Sequence, residues 1–142
     1  MIYPQPDSYA DAALTDNNRS CVLKITSAAG SLLLSGEIVQ SVETELIKQH
    51  KSNQDLISLK SDVMIAPHHG SKTSSSVEFI DEVQPDLTVF TAGYLNRFRH
   101  SRPEIVKRYD GAQSKILRSD YHGAITMDFV ADHSDAKIKA TS

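Results

Sequence analysis

Val63-Met64-Ile65-Ala66-Pro67-His68-His69-Gly70-Ser71 is an apolar run that ends in two adjacent histidines and then a glycine. The run reads as a strand, and a strand tip carrying imidazoles is a common way to present a metal ligand. Gly70 allows the backbone to turn sharply beneath such a site. Adjacent residues on a continuing strand point to opposite faces, so the two rings are not expected to share one ion if the strand runs through them. One would face a metal and the other a substrate or a neighbouring group; the plainer alternative is a structural histidine held by a backbone carbonyl.

Working outward, short apolar runs alternate with helical patterns. Cys21–Thr26 and Ser31–Leu34 read as strands, separated by the hairpin-like Ser27-Ala28-Ala29-Gly30. Val42, Leu46 and Ile47 have helical spacing, with Ser41 as N-cap. After the strand Asp62–Ala66, Ser75-Ser76-Val77-Glu78 fits a capping box, and Val77, Ile80 and Val83 line one face of the helix it opens. Leu87–Thr91 is the next strand. A helix then starts at Pro103, carries Ile105, Val106 and Tyr109, and stops at Gly111. Lys115–Leu117 and Ala124–Val130 are the last strands. Residues 1–17 are expected to form a loose entry segment and 132–142 a polar tail, leaving 18–131 as the folded unit. The order β-β-α-β-α-β-α-β-β predicts an α/β fold with a mixed sheet and flanking helices.

In such sheets ligand sites collect at strand ends, where three candidate spots fall: Gly36-Glu37, His68-His69 and the segment from Gly93 onward. Glu37 can ligate or bridge metals, or act as an acid near a helix start. His100, in Asn96-Arg97-Phe98-Arg99-His100, can protonate a leaving group or, with Asn96, Arg97 and Arg99, touch phosphate. Ser71 and Lys72 open a hydroxyl-rich run before the next helix, whose free N–H groups suit an anion or simply an N-cap. Asp120 and His122 flank a turn and are read first as turn residues, with Asp120 a secondary catalytic candidate.

The chain of 142 residues fits one domain, with 39% apolar residues and no tryptophan. Its net charge of −3 divides unevenly: Tyr94–Arg118 has seven basic and two acidic residues, +5, so the remainder is −8. The basic segment is either a phosphate footprint or a solvated helix face with its loops. The single cysteine, Cys21, excludes an internal disulfide and reads as a buried, inert thiol. No apolar run approaches the roughly 20 residues of a membrane span, and the N-terminus lacks signal-peptide character, so the chain reads as soluble. There is no Gly-x-Ser-x-Gly elbow, Walker loop, dinucleotide fingerprint or Cys-x-x-Cys.

Several blocks together resemble the C-terminal part of the metallo-β-lactamase-like domain of ComEC-type DNA-internalisation competence proteins. They are Asn17-Asn18-Arg19-Ser20-Cys21-Val22-Leu23, Leu33-Leu34-Ser35-Gly36-Glu37-Ile38 and Pro67-His68-His69-Gly70-Ser71-Lys72-Thr73-Ser74. Ala92–His100, Pro103-Glu104, Arg108-Tyr109 and Ile116–Ile125 continue the likeness, which covers about residues 16 to 130. The resemblance implies an αββα sandwich, here its C-terminal half only, and metal-assisted hydrolysis of the DNA strand that is not taken up. It implies metal ligands at Glu37 and at His68 or His69, with His100 and Asp120 as catalytic candidates. Ser71, Lys72, Asn96, Arg97 and Arg99 would bind phosphate. The implied cofactor is a divalent ion, Zn or Mn, and the implied partner is single-stranded DNA at the inner membrane.

Two departures weaken that activity. Glu37 stands where the family usually has a bridging aspartate, and no His-x-Asp-x-Asp-His run occurs anywhere in the chain. The fragment is therefore expected to hold no metal or to be weakly active. The rivals are a non-catalytic nucleic-acid-binding module on a degenerate hydrolase fold, and a hydrolase with another substrate. A lone half-sandwich would also expose an apolar sheet face, so pairing with the missing half or with a second copy is expected.

Overall fold

A computed structural model describes residues 1–6, 14–52, 58–131 and 136–141. Among the described residues the strands and α-helices follow in the order β1 (Leu23–Ser27), β2 (Gly30–Leu34), α1 (Gln40–Ser52), β3 (Val63–Ile65), α2 (Val77–Val83), β4 (Leu87–Phe90), α3 (Pro103–Gly111), β5 (Lys115–Arg118), α4 (Ser119–His122), β6 (Thr126–Ala131) and β7 (Ala136–Thr141). The main sheet has the order β1-β2-β3-β4-β5. β1 and β2 form an antiparallel hairpin, whereas β2, β3, β4 and β5 run parallel. The fold is thus α/β with a mixed sheet, as the alternation of patterns predicts.

Strand alternation divides the apolar residues between two cores. Leu33, Met64 and Phe90 turn to the helical side, where Leu46 of α1, Phe79, Ile80 and Val83 of α2, and Ile105 and Tyr109 of α3 meet them. The rings of Phe90 and Tyr109 pack edge-on, 5.3 Å between centroids. Val63, Leu87 and Val89 face the other way and are buried beneath Ile125, Met127 and Phe129. β6 pairs antiparallel with β7 in a separate two-stranded sheet. This hairpin corrects the expectation of an open sheet face: it closes the centre of that face, while Leu23 and Ile25 on edge strand β1 remain 37% and 48% exposed.

Other expectations shift for local reasons. Tyr3 bridges to Val22 and is buried, and its hydroxyl donates to the Asn18 carbonyl, so the entry segment is anchored rather than loose at this point. Positions 7–13 of that segment, and 132–135 and 142 of the expected tail, lie outside the described residues. Within the tail, Ala136–Thr141 is strand β7, not an irregular end. Cys21 is exposed, because the inward-facing position belongs to its neighbour Val22. α1 begins at Gln40, so Ser41 lies inside its first turn. On α2 the buried face is Phe79, Ile80 and Val83, leaving Val77 outside. No helix among the described residues is long and apolar enough to cross a membrane.

Candidate functional site

The parallel strands deliver three connections to one end of the sheet. Gly36, at φ +58°, turns the chain after β2; the Glu37 N–H then donates to Ser20 Oγ at 2.9 Å. After β3, His68 and His69 both adopt left-handed backbone, φ 49° and 54°, within a short 3-10 turn over Pro67–Gly70. The turn is tied down by the His68 N–H to the Gly36 carbonyl at 2.9 Å and by Ser74 Oγ donating to the Pro67 carbonyl at 2.9 Å. Two successive left-handed non-glycine residues are an unfavourable arrangement that the surrounding contacts must hold in place.

This turn corrects the opposite-face expectation. The strand ends at Ile65, before the histidines, so its alternation no longer applies to them. His69 Nε2 lies 3.1 Å from Glu37 Oε1, and His68 Nε2 lies 3.8 Å from Glu37 Oε2. Their other nitrogens meet hydroxyls: His69 Nδ1 is 3.2 Å from Thr91 Oγ1, at the end of β4, and His68 Nδ1 is 3.4 Å from Thr73 Oγ1. Beneath them Gly70, at φ +75°, lets the backbone press onto the core, since a Cβ there would come within 2.6 Å of the Phe90 ring.

His100 arrives from the basic segment and completes a three-imidazole cluster, its ring centroid 5.8 Å from that of His68 and 6.3 Å from that of His69. Asn96 places it by accepting the His100 N–H at 2.8 Å and donating to the His100 carbonyl. His100 Nδ1 is buried with no hydrogen-bond partner among the described residues. Burial pushes the His100 imidazole below its usual range; the nearby His68, His69 and Arg102 add to this, and Glu37 opposes it. Glu37, the three histidines, Thr91, Asn96 and Phe98 line a cavity of about 340 Å³. An adjoining groove brings Arg97, Arg99 and Arg102 beside His68 and His100.

The remaining candidates stand outside this cluster. Asp120 accepts two hydrogen bonds from the Arg118 guanidinium, at 3.0 and 2.6 Å, and borders the outer groove rather than the histidine cavity. Lys72 pairs with Glu104 at 3.3 Å, and Ser71 Oγ meets Thr73 Oγ1 at 3.2 Å. The backbone amides before α2 are not open to an external anion, because Glu43 of α1 already occupies them. It accepts the N–H groups of Ser75 at 2.5 Å and Ser76 at 2.8 Å, and the Ser76 hydroxyl at 2.7 Å. Sequence reasoning missed Glu43 and Thr91, whereas Arg102 belongs to the basic segment it singled out. Thr91 had a signal, since it directly follows an apolar run; Glu43 had none.

Imidazole and carboxylate are the donors that a zinc or manganese ion takes. Among the described residues, however, no three His, Cys, Asp or Glu side chains are disposed to hold a metal ion. The two Glu37 oxygens face separate imidazoles, so this chain's own residues do not fit a divalent metal without further ligands.

No family model matches the chain. It is 34% identical over 112 residues to competence protein ComA of Neisseria gonorrhoeae, covering 79% of the chain and 16% of that protein. It is 31% identical over 109 residues to ComE operon protein 3 of Bacillus subtilis (strain 168), covering 77% and 13%. Recombination protein 2 of Haemophilus influenzae is 27% identical over 117 residues, covering 82% and 14%. The chain therefore spans only about one-seventh of the length of these curated relatives. Most of the chain's length thus aligns with one part of these much longer competence proteins, a likeness consistent with a ComEC-type C-terminal region.

Proposed function

We propose that the chain serves DNA uptake by holding a nucleic-acid strand at the mouth formed by Glu37, His68, His69 and His100, with phosphates facing Arg97, Arg99 and Arg102. The observation that carries this reading is the convergence of three imidazoles at one strand-end cavity that opens beside three arginines. Guanidinium groups bind phosphate oxygens in a planar fork and raise the local concentration of polyanion. Burial holds the His100 imidazole below its usual range, and its ring lines the same cavity. The competence names of the relatives support a setting in DNA uptake.

The framework is proposed to be the C-terminal half of a metallo-β-lactamase-like sandwich, a reading supported by helices on one sheet face and a second small sheet on the other. A second reading, metal-assisted phosphodiester hydrolysis, is favoured by one observation: both Nε2 atoms of the histidine pair turn to the same carboxylate. Because the donors in this chain are too few, hydrolysis would require ligands from outside it. Fluorescence anisotropy with a labelled oligonucleotide, titrated with salt and repeated with EDTA, separates the readings. Salt-sensitive, EDTA-insensitive binding without cleavage is expected. EDTA-sensitive cleavage would replace that reading with the hydrolytic one, and no binding at low salt would overturn both.

A further inference from the structure

Three concavities open at this end of the sheet, and they differ in whether a carboxylate shares the wall. Glu37 lines the histidine cavity, and Asp120 lines the outer groove. The groove adjoining the histidine cavity gathers Arg97, Arg99 and Arg102 with the hydroxyl residues Ser71 and Thr73, and no acidic side chain lines it. None of these arginines forms an ion pair among the described residues. Glu104, two residues beyond Arg102, pairs with Lys72 at 3.3 Å. The same arginines border the outer groove, but there Asp120 contributes a negative charge, held by Arg118. Two of the arginines stand on tied backbone. The Arg99 N–H donates to the Asn96 carbonyl at 3.0 Å, and the Arg102 N–H to the Gly70 carbonyl at 3.0 Å.

Three cations without a carboxylate among them exceed what a phosphate inside a strand requires. A diester linkage carries one negative charge on two free oxygens, whereas a phosphomonoester carries about −1.5 to −2 at pH 7 on three. Guanidiniums bind phosphate through paired N–H donors, so the third free oxygen gives the third arginine a partner. The two neighbouring concavities, each with a carboxylate in its wall, disfavour the additional charge. We propose that the arginine groove is a seat for a phosphomonoester, the phosphorylated end of a strand, which it distinguishes from the diester linkages along that strand. The seat rests on the nucleic-acid reading of the histidine mouth and adds to it the recognition of an end. His68 and His100 line both the groove and the histidine cavity. A strand anchored by its terminal phosphate therefore enters the imidazole cluster from that end and in one polarity.

Fluorescence anisotropy of the full 142-residue chain compares oligothymidines bearing a 5′-phosphate, a 3′-phosphate or hydroxyl ends only, the last lengthened to equal total charge. One phosphorylated end is expected to bind roughly tenfold tighter than the charge-matched strand, and which end does so fixes the polarity. Arg99→Gln with Arg102→Gln should bring that ratio within about twofold, with far-UV circular dichroism as the control for folding. Lys107→Gln removes a charge from an exposed position outside the groove and should leave the ratio unchanged. Equal binding of phosphorylated and charge-matched strands would overturn the seat and leave the nucleic-acid reading standing. A ratio that survives the double arginine change would overturn its placement in this groove. If no oligonucleotide binds, the nucleic-acid reading fails, and inorganic phosphate decides the groove alone. Shifts of the Arg99 and Arg102 Nε–H resonances with phosphate, absent with chloride at equal ionic strength, would retain the seat for a small phosphate dianion. No shift would overturn it.

Discussion

Glu43 accepts the backbone N–H of Ser76 at 2.8 Å across 33 residues of sequence, and so caps α2 from a different helix. Ser76 in turn accepts the Phe79 N–H at 3.3 Å, the usual N-cap contact. The reciprocal acceptor expected from Glu78 in a capping box is thus supplied by α1. Arg108 of α3 donates to the Ser75 carbonyl at 2.7 Å, and the Tyr109 hydroxyl donates to Ser75 Oγ at 3.0 Å. One fully buried carboxylate thereby organises the loop that follows the histidine turn.

Glu43→Ala leaves one buried donor, the Ser75 N–H, and two part-buried donors of Ser76 without an acceptor, and it is expected to destabilise the fold by about 3 kcal/mol, measured by urea unfolding. Thr73, which meets His68 Nδ1, lies in the loop that loosens. A change in the chemical shifts of His68 in a folded variant would report that coupling, and a variant as stable as the parent would refute the role of Glu43.

The pH dependence of stability has two contributions of opposite sign. His100 resists protonation when folded, so the unfolded chain takes up the proton first as pH falls through 6.5, and stability declines below that value. Glu43 is held above its usual range, chiefly by burial, so its contribution grows on acidification and is lost as pH rises through its folded value. His100→Gln is expected to remove the loss of stability between pH 7.5 and 5.5, read from urea midpoints. An unchanged profile in that variant would place the titration elsewhere.

Salt dependence measures phosphate contacts directly. Replacing Arg97 and Arg99 together by alanine is expected to reduce the slope of log affinity against log salt by about 1.4 for a single strand. An equal slope in the variant and the parent would show that neither guanidinium meets a phosphate.

The β6–β7 hairpin is expected to be needed for solubility. Truncation after Gly123 uncovers Val63, Leu87 and Val89, and burial of each such side chain is worth about 1.5–3 kcal/mol. Light scattering should find the truncated chain aggregated. A stable truncated monomer would show that the hairpin contributes little to the second core.

Gly70→Ala forces a side chain into a left-handed position, where its Cβ would lie 2.6 Å from Phe90 Cε1. A loss of about 3 kcal/mol is expected, with the histidine turn displaced. Phe90→Leu in the same background should recover part of the loss by removing the ring edge.

The sheet was readable because its strands are short apolar runs set between turn residues, and the parallel order followed from intervening helices. β7 is harder to read because its composition is polar, although Ala136-Lys137-Ile138-Lys139-Ala140 alternates apolar and charged residues with the period of a strand, and it pairs with β6. Glu43 escaped because an acid at a helix start looks solvated until serines distant in sequence are brought to it. At the site, the chain brings Glu37, His68, His69 and His100 together at one end of the sheet. The orientation of the histidines was not legible, since the strand period stops at Ile65 and the left-handed turn decides where both rings go.

That turn also limits what directed evolution can explore at positions 68 and 69. Glycine, asparagine and aspartate tolerate such backbone angles most readily, yet none carries a ring nitrogen as far as Glu37. Longer side chains have the reach but meet a conformational penalty twice in succession. A saturation library here should therefore divide into clones that fold without the imidazole contact and clones that fold poorly, with histidine the rare residue meeting both demands.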